Sequence, residues 1–146
     1  MRVLLVEPGR KPRAAEIGSS LEEMQEAVGG PTKEIRPWHD NAILVCRQNR
    51  DDPDLPANRA LINQIEEGAE AIKGTFFICA LKANGLTSLN RIQLEKYYLM
   101  FREPELILET EHGMCVFRCS EQVYAEAQNS IRDKEKQPKQ KGGPQR

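Results

Sequence analysis

The chain has 146 residues and a formal net charge of −1, and a chain of this length can bury a core without disulfides or metals. The charge is uneven, because residues 132–146 hold six cations and two anions, a net +4, which leaves −5 on the preceding residues. A mildly acidic body with a basic tail excludes a dedicated DNA-binding domain, whose folded surface would itself be basic.

Membrane insertion and secretion are also not expected. No apolar run approaches the ~20 residues of a transmembrane helix. The first residues form only a short apolar run before Glu7 and Pro8, which is not the layout of a signal peptide. We therefore expect a cytoplasmic protein whose four cysteines stay reduced.

The first thirty residues predict a β-hairpin followed by a helix. Residues 3–6 are an apolar run that ends in a Glu-Pro-Gly turn, and residues 12–17 are a polar, proline-edged segment typical of an edge strand. Ser20 and Glu23 have the spacing of a capping box, which begins a helix that ends at the Gly-Gly-Pro after Val28.

The middle of the chain predicts the centre of the sheet. Residues 33–38 and 42–46 indicate two strands, and residues 72–81, the most apolar run, indicate a central strand buried on both faces. Residues 55–61 are predicted to be a proline-bounded loop beside that strand. A loop fixed at both ends next to a central strand is a place where a small domain can hold a ligand or partner.

A second helix is predicted after Asn90, which forms a capping box with Gln93. The apolar residues that follow recur at helical spacing and end before a proline. These residues are Leu94, Tyr97, Tyr98 and Phe101. An aromatic stripe at this spacing is more often part of a core than a binding surface.

The remaining segments complete an α+β fold. Residues 106–108 and 114–119 predict a C-terminal hairpin, and residues 121–132 predict a weaker helix. We predict a single domain over residues 1–132, with a mainly antiparallel sheet of five to seven strands and two helices packed on one face. Residues 133–146 contain no apolar side chain and are predicted to be a disordered basic tail.

With these segments in view, the chain resembles the family called domain of unknown function 3846, which occurs in bacteriophages and in conjugative or integrated elements of gut bacteria. The resemblance lies in the opening segment, the first helix, the proline-bounded segment, two apolar strands and the second helix: residues 2–9, 20–30, 42–46, 55–61, 74–78 and 90–101. It implies a family core over residues 1–108, with residues 109–132 as an extension. It also implies an accessory protein of mobile DNA and supplies no catalytic residues.

Two polar patterns have simpler explanations than catalysis or metal binding. His112, Cys115 and Cys119 resemble a metal motif, but a structural zinc site needs four ligands, and the two cysteines would lie about 13 Å apart on a strand. His39 and Asp40 resemble a base with its orienting carboxylate, but no nucleophile motif accompanies them. We therefore predict no catalytic residue, no metal and no cofactor.

The strongest candidate site is the segment that contains Leu55, Pro56, Asn58 and Arg59. Asparagine donates and accepts hydrogen bonds, and the planar guanidinium of arginine suits phosphate or carboxylate. Held between apolar anchors, Asn58 and Arg59 could form an anion or nucleotide site. The alternative is structural: Asn58 caps a turn, and Arg59 pairs with an acidic neighbour such as Asp54.

Three functional classes follow. The first is a non-enzymatic accessory protein of a phage or mobile genetic element that binds a host or element-encoded protein, such as a component of host defence. The alternative is a protein that binds a small anionic ligand or nucleotide through residues 55–61. An enzyme is least favoured, because no acid, base and nucleophile can be assembled. Specific nucleic-acid and membrane partners are not expected, and the sequence leaves the oligomeric state open.

Overall fold

A computed structural model describes residues 1–49 and 52–136, with side chains through residue 131. In chain order the elements are β1 (Arg2–Val6), β2 (Arg13–Glu16), α1 (Leu21–Val28), β3 (Thr32–Ile35), β4 (Ala42–Arg47), β5 (Ala57–Asn63), β6 (Gly68–Lys73), β7 (Phe76–Lys82), β8 (Gly85–Thr87), α2 (Arg91–Met100), β9 (Glu105–Thr110), β10 (Gly113–Arg118) and α3 (Glu121–Lys136). None of the helices in these residues is both long and apolar enough to cross a membrane.

The main sheet has six antiparallel strands in the described residues. Its order is β2-β1-β7-β4-β3, and β8 pairs with the end of β7. The middle strand, β7, is buried from Phe76 to Ala80, which confirms the prediction of a central strand. The predicted run began too early, however, because Gly74 adopts a φ of +77° and separates β6 from β7.

Helices cover both faces of this sheet. Met24 and Val28 of α1 pack against one face, in a cluster that includes Phe77. Tyr97 and Phe101, from α2 and its C-terminal end, pack against the opposite face. The prediction of two helices on one face is therefore wrong. Neighbouring side chains of a strand point to opposite faces, so the continuously apolar β1, β4 and β7 need cover on both sides.

Both predicted helix starts are confirmed in atomic detail. The hydroxyl of Ser20 accepts the backbone N–H of Glu23 at 3.1 Å. The side-chain oxygen of Asn90 accepts the N–H of Gln93 at 2.8 Å, while the side-chain oxygen of Gln93 accepts the N–H of Asn90 at 3.0 Å. A cap of this kind contributes about 1 kcal/mol, since it satisfies an N–H that the helix leaves unpaired.

Two hairpins lie outside the main sheet. β5 pairs with β6, and β9 pairs with β10. The prediction that residues 55–61 form a loop is wrong from Ala57 onward, because this segment is β5. The predicted helix at 121–132 is confirmed and continues to Lys136, past the start of the predicted tail. Residues 137–146 of that tail lie outside the described residues.

Candidate functional site

A β-bulge places the two polar residues of the predicted site side by side in the interior. The register of β5 on β6 shifts between Ala57 and Arg59, so Asn58 is an extra residue without a cross-strand partner. In a regular strand these neighbours would point to opposite faces. With the bulge, both Asn58 and Arg59 are 0% exposed.

The side chain of Asn58 connects three parts of the chain. Its amide nitrogen donates to the carbonyl oxygen of Val6 at 2.9 Å and to that of Gly74 at 2.8 Å. Its side-chain oxygen accepts a hydrogen bond from Nη1 of Arg59 at 2.8 Å. Both donors and the acceptor of Asn58 are thus used within the protein.

The guanidinium of Arg59 is equally saturated. Nε and Nη2 both donate to the carbonyl oxygen of Phe101 at 3.1 Å, and Nη2 also donates to that of Arg10 at 2.6 Å. Nη1 donates to the backbone and side-chain oxygens of Asn58 at 3.1 and 2.8 Å. A guanidinium has five N–H groups, and here five hydrogen bonds engage them. Phe101 caps the C-terminal end of α2, where helix carbonyls carry partial negative charge.

Burial and a nearby carboxylate act on Arg59 in opposite directions. Burial lowers the pKa of Arg59, and the charge of Glu105 raises it in part. Glu105 is itself 5% exposed and accepts the N–H of Ala60 at 2.8 Å. The acidic neighbour that balances Arg59 is therefore Glu105, at the start of β9, rather than the predicted Asp54.

The four predicted site residues end up in different environments. Asn58 and Arg59 form the buried cluster. Leu55 packs against Gly74 so closely that a Cβ atom at Gly74 would lie 2.8 Å from Cδ1 of Leu55. Pro56 is exposed and lines an apolar groove. The structure brings the side chains of Asn58 and Arg59 together, and both point into the interior of the protein. Ligand binding by this segment stays a prediction.

Asp40 interacts with Tyr97 and Lys96 and not with His39, its neighbour in the sequence. Its Oδ2 accepts the hydroxyl of Tyr97 at 2.6 Å and lies 3.7 Å from Nζ of Lys96, whereas His39 is exposed. The hydrogen bond from Tyr97 lowers the pKa of Asp40. Burial, together with Asp40, raises the pKa of Tyr97. At neutral pH the pair is thus an ionised acceptor and a protonated donor, and the hydrogen bond ties α2 to the loop before β4.

An apolar groove of about 320 Å³ lies between the β9–β10 hairpin and α3. The hairpin contributes one face of alternating residues, Leu106 and Leu108 with Phe117, and α3 contributes Tyr124, Ala127 and Ile131 at helical spacing. Leu108, Phe117 and Ile131 remain 59%, 60% and 51% exposed. We call this set of six residues the C-terminal groove.

The C-terminal groove is fixed to the main sheet through the first residues of α3. Gly9, in the turn after β1, has a φ of +76°, and a Cβ there would overlap the ring of Tyr124. A carboxylate oxygen of Glu121 accepts the N–H of Lys11 at 2.9 Å. These contacts hold the start of α3 against the turn after β1.

Sequence reasoning did not single out this groove. Its signals were present, because alternate residues of the predicted hairpin and every third or fourth residue of the predicted helix are apolar. The sequence does not show that the two apolar faces would meet and stay partly uncovered.

A comparison with protein-family models assigns most of the chain to one family. The model of the family described as Domain of unknown function (DUF3846) matches residues 1–102. The chain belongs to this family. No curated protein and no solved structure gave a significant match. The DUF3846 region thus spans β1 to α2 and ends beside Phe101, so the β9–β10 hairpin and α3 follow the matched region.

The cysteine and histidine pattern near the C-terminus does not form a cluster. Cys115 is exposed on β10 and Cys119 is half-buried. Across the side chains described in residues 1–49 and 52–131, no three His, Cys, Asp or Glu residues converge in a way that could hold a metal ion.

Proposed function

We propose that this DUF3846 protein is a non-enzymatic accessory protein of a phage or mobile genetic element that acts by binding another protein, with a host defence component as the target. The observation that carries the proposal is the C-terminal groove. Soluble domains seldom leave contiguous large apolar side chains in water unless the surface is covered by a partner. Phe117 is the largest of the exposed side chains of this groove and is more than half exposed.

The contacts of Arg59 favour protein binding over the capture of a small anion. A phosphate or carboxylate at Arg59 would have to displace backbone carbonyls of Arg10 or Phe101 from a fully buried position. Each buried carbonyl left without its donor costs about 1–3 kcal/mol. A ligand would therefore pay this cost before gaining any contact of its own.

The test is capture of a partner from host lysate by the full-length chain, with two matched surface variants. Phe117→Ser alters the C-terminal groove, whereas Ile92→Ser alters an isoleucine on α2 that is 79% exposed. We expect one protein to be retained by the unaltered chain and by Ile92→Ser, and lost with Phe117→Ser. Both substitutions are at exposed positions, so thermal unfolding should change little.

The result that contradicts the proposal is the absence of any protein retained above an unrelated bait, or equal retention by all three chains. A panel of nucleotides tested by thermal shift addresses the alternative function. A ligand at 100 times its dissociation constant adds about 2.7 kcal/mol to the free energy of unfolding. A shift of that size with a nucleotide would favour the small-ligand alternative.

A further inference from the structure

The outer edge of β10 has backbone groups available for pairing. In the described part of the chain, β10 pairs with β9 alone. The N–H of Cys119 donates to the carbonyl of Pro104 at 2.9 Å, which continues the β9–β10 ladder. Hydrogen-bonded and non-hydrogen-bonded pairs alternate in an antiparallel ladder, so Cys115 and Phe117 bond inward to β9. Met114, Val116 and Arg118 therefore direct their N–H and C=O groups outward.

From Gly113 to Phe117 this edge carries none of the usual protections against pairing. Proteins commonly blunt an edge strand with proline, lysine or a bulge. β10 reads Gly-Met-Cys-Val-Phe-Arg and pairs in continuous register with β9 from Gly113 to Arg118. Arg118, at one end, is the single charged residue of the strand, so the edge suits the addition of another strand.

The net charge around β10 determines which kind of segment can add to its edge. Residues 103–126 contain six glutamates and one arginine, a net charge of −5 with His112 neutral. A second copy of this chain would bring the same charge to the same edge and be repelled. A basic segment would be attracted by this net charge. Glu109 lies on the hairpin face opposite Leu108, where its side chain is 58% exposed and 4.0 Å from Nζ of Lys73.

We propose that β10 takes up an extended, basic segment of a partner protein, which adds to the outer edge as a further strand. This inference rests on the proposed function. Alternate apolar side chains of the segment lie on the face of Leu108 and Phe117 and enter the C-terminal groove. The intervening lysine or arginine side chains lie on the face of Glu109. Backbone bonds to Met114 and Val116 fix the register, and the groove selects the apolar side chains.

The experiment uses a fluorescein-labelled peptide of about eight alternating lysine and valine residues, the length of a long strand pairing. Binding to the full-length chain is followed by fluorescence anisotropy. Val116→Pro removes the outward N–H without removing a bond to β9, and Val116→Thr keeps it. We expect the dissociation constant to rise at least tenfold with Val116→Pro and to stay within about twofold with Val116→Thr.

Two altered peptides test the same contact without changing the protein. N-methylation of alternate peptide bonds removes the donors of the added strand and retains its charge, and we expect binding at least tenfold weaker. Replacing lysine by glutamate should weaken binding by at least the same factor.

Any of the following results would overturn the inference. The first is no binding of the lysine–valine peptide, and the second is equal affinity for Val116→Pro and Val116→Thr. The third is a concentration-dependent dimer in sedimentation that Val116→Pro abolishes, since the occupant would then be a second copy. A lysate partner that is lost with Phe117→Ser and kept with Val116→Pro would overturn strand addition and leave the proposed function standing.

Discussion

Arg59 occupies a site built from carbonyl oxygens of residues far apart in the sequence. The partners in Arg10 and Phe101 lie 49 and 42 residues away. A lysine has three donors on a flexible stem and cannot reproduce the planar fork that reaches Phe101 twice. The site is thus specific for arginine, not merely for a positive charge.

We expect Arg59→Lys to lower the free energy of unfolding by about 2–4 kcal/mol, because a buried carbonyl oxygen left without its donor costs about 1–3 kcal/mol. Urea denaturation at neutral pH measures the change. Arg13→Lys is the control, since Arg13 is 60% exposed and its contact with Glu7 is on the surface. Such a change should stay within about 0.5 kcal/mol. Equal effects of the two substitutions would contradict this account of Arg59.

Asp40 makes the free energy of unfolding depend on pH in the acidic range. Its pKa is lowered in the folded state, chiefly by the hydroxyl of Tyr97. The stabilisation is therefore complete above the unfolded carboxyl pKa of about 3.9 and is lost as the pH falls through the lower folded value. We expect Asp40→Asn to cost about 1–2 kcal/mol at pH 7 and progressively less as the pH falls below the unfolded carboxyl pKa of about 3.9.

Urea denaturation of Asp40→Asn beside the unaltered chain, at several pH values, checks this expectation. Asp54→Asn, at an exposed position, provides the control and should follow the unaltered chain throughout. A difference between Asp40→Asn and the unaltered chain that stays constant down to low pH would exclude the carboxylate as its source.

Asn58 and Arg59 show where residue-level prediction from sequence stops. The sequence indicates a candidate binding site at two polar residues between apolar anchors. Whether they point outward or inward depends on the bulge in β5, and no residue type in this segment identifies a bulge. Their orientation, and hence their partners, was not predictable.

At the scale of elements, sequence was most informative where a local signal fixes the backbone. The helix caps at Ser20 and Asn90 and the central strand were predicted because capping and burial leave local patterns. The face on which each helix packs depends on the connections between strands, which the pattern does not encode. The loop prediction for residues 55–61 fails from Ala57 onward, because its proline and polar residues outweigh a short strand pattern.

The two sides of β10 should differ in hydrogen exchange. The N–H groups of Cys115 and Phe117 point to β9, and those of Met114 and Val116 point outward. We expect Met114 and Val116 to exchange at least tenfold faster than Cys115 and Phe117, as measured by NMR on the free protein. The amides of Ile78 and Cys79 in β7 should be the slowest reference. Uniform protection along β10 would show that its outer edge is already paired.

The whole molecule combines a sheet covered on both faces with a C-terminal part that is covered on one side. The DUF3846 match includes all the strands of the main sheet, while the groove and the open edge of β10 follow it. Contacts between Tyr124 and Gly9, and between Glu121 and Lys11, join the two parts. Recognition in the proposed mode therefore uses residues beyond the matched region, held in place by residues within it.

The carbonyl site of Arg59 also has a kinetic consequence. Its oxygens come together only after the turn following β1 and the end of α2 have both docked on β5. Until then the guanidinium is better solvated by water, and we therefore expect these bonds to form after the main barrier to refolding has been crossed. We expect Arg59→Lys to accelerate unfolding in stopped-flow experiments and to leave the refolding rate almost unchanged. Slower refolding would instead place the hydrogen bonds of Arg59 in the folding nucleus.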